Sequence, residues 1–159
     1  MEAVTSRIDE FKERLQTLYA DIRNWLWGRD LRIEDVDIVV LEEKLGVYTL
    51  NGLEITTNDG TEIASITPAG IDIIGGEGQV RISGPYDDLM VTYFIDGGPE
   101  IEVDVSENGT PVGRRSRPLL SGIDEPGWYL VSDPRTGQMH QLDKETLLQI
   151  FRQVSDYEL

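Results

Sequence analysis

Cysteine is absent from the 159 residues, which removes thiol nucleophiles, CxxC redox pairs, thiolate zinc sites and disulfide staples together. A reducing compartment suits such a chain. Histidine occurs once, at His140 on a predicted strand, with no Gly-x-Ser-x-Gly elbow to supply a nucleophile for it to activate. A lone histidine of this kind reads as structural or exposed. Basic residues are scarce, 14 Lys and Arg against 30 Asp and Glu, for a net charge of −16. Phosphate binding relies on neutralisation by Lys and Arg, so no direct nucleic-acid partner is expected. No stretch approaches the roughly twenty apolar residues of a membrane-spanning helix. Met1-Glu2-Ala3-Val4 lacks the basic start and apolar run of a secretory signal. The absences describe a soluble, cytoplasmic chain with no cofactor, no metal and no membrane partner.

At 39% hydrophobic residues the chain can bury one core, and a single domain over 1–159 is expected. Its parts are a helix over 1–28, a β-meander over 36–106, a long loop over 107–127, a hairpin over 128–142 and a closing helix over 143–157. In the first helix Val4, Ile8, Phe11, Leu15, Leu18, Ile22 and Trp25 recur every three or four residues and form one stripe. Ser6 with Asp9 offers a cap, and Gly28 offers the left-handed residue that ends helices. Read as heptads, the stripe places Arg7 against Lys12 of a parallel partner, which repels. Tyr19 and Leu26 widen it toward the shape of a helix lying on a sheet. Packing within the monomer is therefore expected over a helix-mediated dimer. Trp25 belongs to the stripe; Trp27 suits either core or an exposed anchor.

The segment from Arg29 to Glu43 is ambiguous, with Asp37–Leu41 compatible with a buried strand. Strands then alternate with turn signals: Asn51-Gly52, Asn58-Asp59-Gly60, Pro68-Ala69-Gly70, the Gly75–Gly78 run and Gly84-Pro85. Ile71–Ile74 and Gln79–Ser83 are two of these strands. Gly75-Gly76-Glu77-Gly78 lacks a following lysine and a following helix, so it is a turn and no phosphate loop. Leu89–Ile95 and Ile101–Val105 read as a hairpin pairing Ile95 with Ile101, Tyr93 with Val103 and Val91 with Val105. Asp143 is expected to cap the closing helix, whose Leu147, Ile150, Phe151 and Val154 share a face.

Charge is concentrated. From Leu45 to Gly113 stand twelve carboxylates and one basic residue, Arg81, a net −11. The proposed hairpin gathers Asp96, Glu100, Glu102 and Asp104 on one face as an acidic ladder, the candidate protein-binding residues. Arg114, Arg115 and Arg117 in the following loop bind an anion, contact a partner, or latch back onto the acidic sheet. Asp87-Asp88 is a second carboxylate group, without calcium-loop spacing. Asn108-Gly109-Thr110 matches a glycosylation sequon of little weight without a secretory signal.

The fold expected is α+β: a long N-terminal amphipathic helix packed on an antiparallel β-meander, a bent sheet or partial barrel of about eight strands, with a short C-terminal helix. The function expected is non-enzymatic, an acidic module engaging a basic protein partner, as an inhibitor or immunity-type protein, a DNA-mimic antagonist or an export-type chaperone. Two alternatives stand beside it. One is an assembly subunit oligomerising through the N-terminal helix. The other is a carboxylate-dependent hydrolase, which requires a carboxyl of raised pKa beside a concave pocket.

Overall fold

The structure, a computed structural model, describes residues 2–71, 76–98 and 100–158, with the side chains of residues 2–4, 101, 103, 115, 117 and 118 excepted. The expected strand Ile71–Ile74 and the start of the Gly75–Gly78 turn thus fall largely outside the described residues. The fold is α+β, with an N-terminal helix, a seven-stranded antiparallel sheet, a separate two-stranded sheet and a short C-terminal helix.

Helix α1 runs Glu2–Leu26 and stops at Gly28, whose φ is 84°. It begins four residues before Ser6, so the expected Ser6 cap is instead an exposed position inside the helix. Phe11, Leu15, Leu18, Tyr19, Ile22 and Leu26 are buried in the chain's own core, and Trp25 is half-buried against it. The Val4 side chain of the predicted stripe lies outside the described residues. Trp27 lies 86% exposed.

Seven strands form the main sheet: β1 (Leu31–Glu42), β2 (Gly46–Thr57), β3 (Glu62–Gly70), β4 (Gln79–Ser83), β5 (Asp88–Phe94), β8 (Gly127–Asp133) and β9 (Gln138–Gln141). They lie in the order β1-β2-β3-β4-β5-β8-β9, a meander interrupted once. The interruption is β6 (Glu100–Glu107) and β7 (Thr110–Pro118), which among the described residues pair only with each other.

Three predicted turns and pairings are corrected. Asn51-Gly52 is no hairpin turn. β2 runs straight through it, and the chain reverses at residues 43–45, so that Leu41 faces Val47 and Asp37 faces Asn51. Gly52 is there for space: a Cβ would lie 2.8 Å from the Ile66 carbonyl oxygen and 3.0 Å from Ile38 Cγ1. The buried set also changes phase here, from Tyr48 and Leu50 to Leu53 and Ile55 on β2, and from Ile33 to Val36, Ile38 and Val40 on β1. Period-two alternation fails across such a change because a strand shows one face per parity only while its packing surface stays put. Pro68-Ala69-Gly70 is likewise strand, carried to its end by a register shift between Pro68 and Gly70.

The third correction concerns the acidic hairpin. β5 pairs with β4 and β8, not with β6. Tyr93 stands opposite Trp128, their ring centroids 5.3 Å apart, and Phe94 meets the Tyr129 ring at 6.1 Å. Aromatic pairs bury more surface than Val or Ile set between carboxylates, so β8 wins the edge of β5. The long loop over 107–127 is corrected with it. Asn108 (φ 52°) and Gly109 (φ 79°) make the tight turn between β6 and β7. Such paired positive φ values match the right-handed twist of the strands they join.

Beyond β9, Asp143 caps α2 (Lys144–Val154) by accepting from the Thr146 backbone N–H at 2.8 Å, as expected, though the helix ends three residues earlier than the 143–157 boundary. Leu147, Ile150, Phe151 and Val154 are buried. The β4–β5 turn is stitched to the helix end: Tyr86 donates its backbone N–H to the Val154 carbonyl at 3.0 Å, and Gln153 donates to Asp87 at 2.8 Å. No helix among the described residues is long and apolar enough to cross a membrane.

Candidate protein-binding surface

The predicted acidic ladder divides. Glu100, Glu102 and Asp104 lie on β6, whereas Asp96 sits in the preceding bend and accepts from the Gly98 N–H at 2.9 Å. The β6–β7 register places Glu102 opposite Ser116 and Asp104 opposite Arg114. Arg114 reaches both carboxylates, Glu102 at 3.4 Å and Asp104 at 3.0 Å. Of the three loop arginines, Arg114 is thus turned onto the ladder; Arg115 and Arg117 stand opposite Val103 and Ile101 in register, their side chains outside the described residues. All three ion-pair partners are exposed, 69–82% by side chain, so each pair contributes about 0.2–1 kcal/mol and yields to salt.

A different surface emerges on the β1–β2 hairpin. Alternate β1 residues Val40 and Ile38 turn inward, buried and half-buried, which leaves Val39 and Leu41 outside. Leu41 stands directly opposite Val47, and Val39 opposite Thr49. Val39, Leu41 and Val47 are 68%, 76% and 68% exposed, three neighbouring branched aliphatic side chains in water. Single exposed apolar residues are ordinary, but a contiguous group rimmed by charge marks an interaction site. Exposed Glu34, Asp35 and Asp37 precede the strip along β1, and exposed Glu43 and Lys44 follow it in the turn. The hairpin end is pinned: Glu42, half-buried, accepts from the Tyr48 hydroxyl and, at 3.1 Å, from the Ile71 N–H. Burial first, and then this hydrogen bond to Glu42, push the Tyr48 hydroxyl well above the ordinary tyrosine range.

The strip continues by register into a cleft of about 340 Å³ beside α1, lined by Lys12, Leu15, Gln16 and Tyr19 on the helix and by Asp37, Thr49, Leu50 and Asn51 on the sheet. Tyr19 closes its floor by donating to the Asn51 carbonyl at 2.6 Å. Burial and the neighbouring Asp35 carboxylate raise its pKa, so it stays a neutral donor.

His140 lines a second concavity, about 530 Å³, together with Asp124, Glu125, Tyr129 and Asp143. Its Nε2 lies 3.9 Å from Asp143 Oδ2, and both side chains are more than half exposed. Asp143 is committed to capping α2, and its pKa is lowered chiefly by the hydrogen bonds with Thr146. Among the described residues no group of three His, Asp or Glu is placed to hold a metal ion. Asp87 and Asp88 are structural neighbours of α2 and of Arg81, the latter at 3.9 Å from Asp88.

The strip escaped sequence reasoning because Ile38-Val39-Val40-Leu41 is a continuous apolar run, and such a run reads as buried on both faces. The signal against that reading was β1's alternation further back, where Asp35 and Asp37 break the run and imply a strand with one wet face. No protein-family model matches the chain, and no curated protein or solved structure is similar enough to it to lend a family or a function.

Proposed function

We propose that the chain is a non-catalytic binding module that holds a basic protein on its β1–β2 hairpin. The observation that carries this is the Val39–Leu41–Val47 strip, each side chain about two-thirds or more exposed and the strip flanked mainly by carboxylates, in a chain of net charge −16. Apolar contact supplies affinity at such a site, while the surrounding field steers a cationic partner and rejects anionic ones. Blocking a basic effector, as an inhibitor or immunity-type protein does, is the role this physics suits first.

The other readings draw less support. A DNA mimic needs bare carboxylates in phosphate-like array, and Arg114 covers two of the ladder's four. An assembly helix needs a free apolar face, and Phe11, Leu15, Leu18 and Ile22 of α1 are at most 2% exposed within their own chain. A general acid needs a carboxyl raised in pKa, and among the described residues the shifted carboxyls Asp59, Asp87 and Asp143 are all lowered by hydrogen bonds.

Capture from native lysate tests the reading with three baits: the native chain, a Val39→Lys/Leu41→Lys strip variant, and a Glu100→Lys/Glu102→Lys/Asp104→Lys ladder variant. The native bait should retain a basic protein that high salt weakens, the strip variant should lose it, and the ladder variant should keep most of it. Equal recovery by the strip variant overturns the assignment to β1–β2.

A further inference from the structure

The seven-stranded sheet has two edges, and they are built differently. At one end β9 is four residues long, and its edge is met by Ser121, which receives the Met139 N–H at 2.7 Å and donates its own to Gly137 at 3.0 Å. At the other end β1 is twelve residues long and pairs with β2 in unbroken register over its whole length, without bulge, proline or glycine. Among the described residues no strand lies on its outer side. Natural proteins shorten, bulge, charge or cover such an edge, because its unpaired N–H and C=O groups template another strand. β1 carries charge at Arg32, Glu34, Asp35 and Asp37, then none from Ile38 to Leu41. That four-residue window is the part of the edge left open.

We infer that Ile38–Leu41 of β1 accepts an extended segment of a basic protein as an eighth strand, apolar at its centre and carrying Lys or Arg at both ends. The inference rests on the binding reading above and adds the mode of recognition. Main-chain hydrogen bonds would supply affinity, and the side chains on either side would supply selection. Charge selects the occupant. A second copy laid antiparallel across the window sets Asp37 against Glu42 of its mate at both ends, a like-charge pair made twice. A segment with cationic ends instead meets exposed Asp37, with Glu34 beyond it, on one side and exposed Glu43, beside Lys44, on the other. Asp35 is already engaged by Arg23 of α1 at 3.1 Å and Glu34 by Arg32 at 4.0 Å, which makes these two the least available of the group.

The probe is a synthetic peptide with four alternating valine and threonine residues between lysine pairs, tested on the intact chain by fluorescence anisotropy and amide hydrogen exchange. A second peptide has the same side chains with alternate backbone nitrogens methylated, and a third replaces lysine with glutamate. The free-amide lysine peptide should bind, slow exchange across Ile38–Leu41, and weaken with salt. N-methylation should cost about tenfold or more in affinity, since it removes strand donors while keeping side chains, and the glutamate peptide should not bind. Equal binding of methylated and free-amide peptides overturns strand addition while leaving docking on the hairpin face intact. No binding by any peptide, with native capture of a basic protein unchanged, overturns the edge alone; loss of both overturns the edge and the binding reading together. A peptide-free dimer protected across Ile38–Leu41 overturns the choice of occupant.

Discussion

Replacing Gly52 by alanine probes the close approach of β2 to β3 at the point where the buried side of β2 changes phase. In an ordinary strand interior the change removes backbone freedom from the unfolded chain and stabilises by roughly 0.5–1 kcal/mol. Here the new methyl must fit 2.8 Å from the Ile66 carbonyl oxygen, 3.0 Å from Ile38 Cγ1 and 3.3 Å from Val36 Cγ2. The first neighbour is backbone of β3 and cannot swing away. Overpacking of this kind costs about 1–3 kcal/mol, so the net effect is a loss of about 1–2 kcal/mol. With a urea m-value of about 2 kcal/mol/M, the midpoint falls by roughly 0.5–1 M. Asn51→Ala is the control. Its side chain is exposed and only its carbonyl is used, by Tyr19, so its stability should stay within about 0.5 kcal/mol of native. Were Asn51-Gly52 a hairpin turn, Asn51→Ala would be the costly change. A Gly52→Ala chain as stable as the native one, with an unchanged m-value, refutes the close approach of β2 to β3 at this point.

Phe151→Ala should cost about 3–5 kcal/mol by thermal or urea unfolding, because the ring is fully buried and its loss leaves a cavity between α2 and the sheet. Asp143→Ala should cost about 1 kcal/mol through loss of the α2 cap. The Asp143 carboxyl is lowered in the folded chain, so its contribution is present above the unfolded value near pH 4 and fades as pH falls through the folded one; Asp143→Ala should flatten that part of the acid profile. Tyr19 and Tyr48 are raised in the folded chain, so their contribution is complete below about pH 10 and lost above it. Spectrophotometric titration should find both still protonated where free tyrosine ionises, and a Tyr19→Phe/Tyr48→Phe chain should lose less stability between neutral and alkaline pH.

Much of the fold was legible because its signals are local. The α1 stripe, the strand Gln79–Ser83, the Trp128–Leu142 hairpin and the Asp143 cap each follow from neighbours within a few residues. What escaped depends on distance. Asn51-Gly52 carries turn chemistry, yet the glycine answers to Ile66 across the sheet, a contact that no window around residue 52 contains. The partner of β5 was misread for the same reason: Trp128 and Tyr129 lie more than thirty positions away, whereas Ile101 and Val103 are close by in the chain. The site followed the fold. Glu102 and Asp104 do share β6, but β7 brings Arg114 onto them, and Pro111, Gly113 and Pro118 give that strand the composition of a loop. Val39 and Leu41 were hidden by the apolarity of the two residues beside them, Ile38 and Val40.

On the proposed reading, a basic partner sits on the β1–β2 hairpin. Amide hydrogen exchange on the native chain, alone and saturated with the basic protein it captures, tests this most directly. Exchange should slow across Ile38–Leu41 and Val47–Thr49, with little change over Glu100–Pro118. Protection confined to Glu100–Pro118, with the β1–β2 hairpin unaltered, contradicts it.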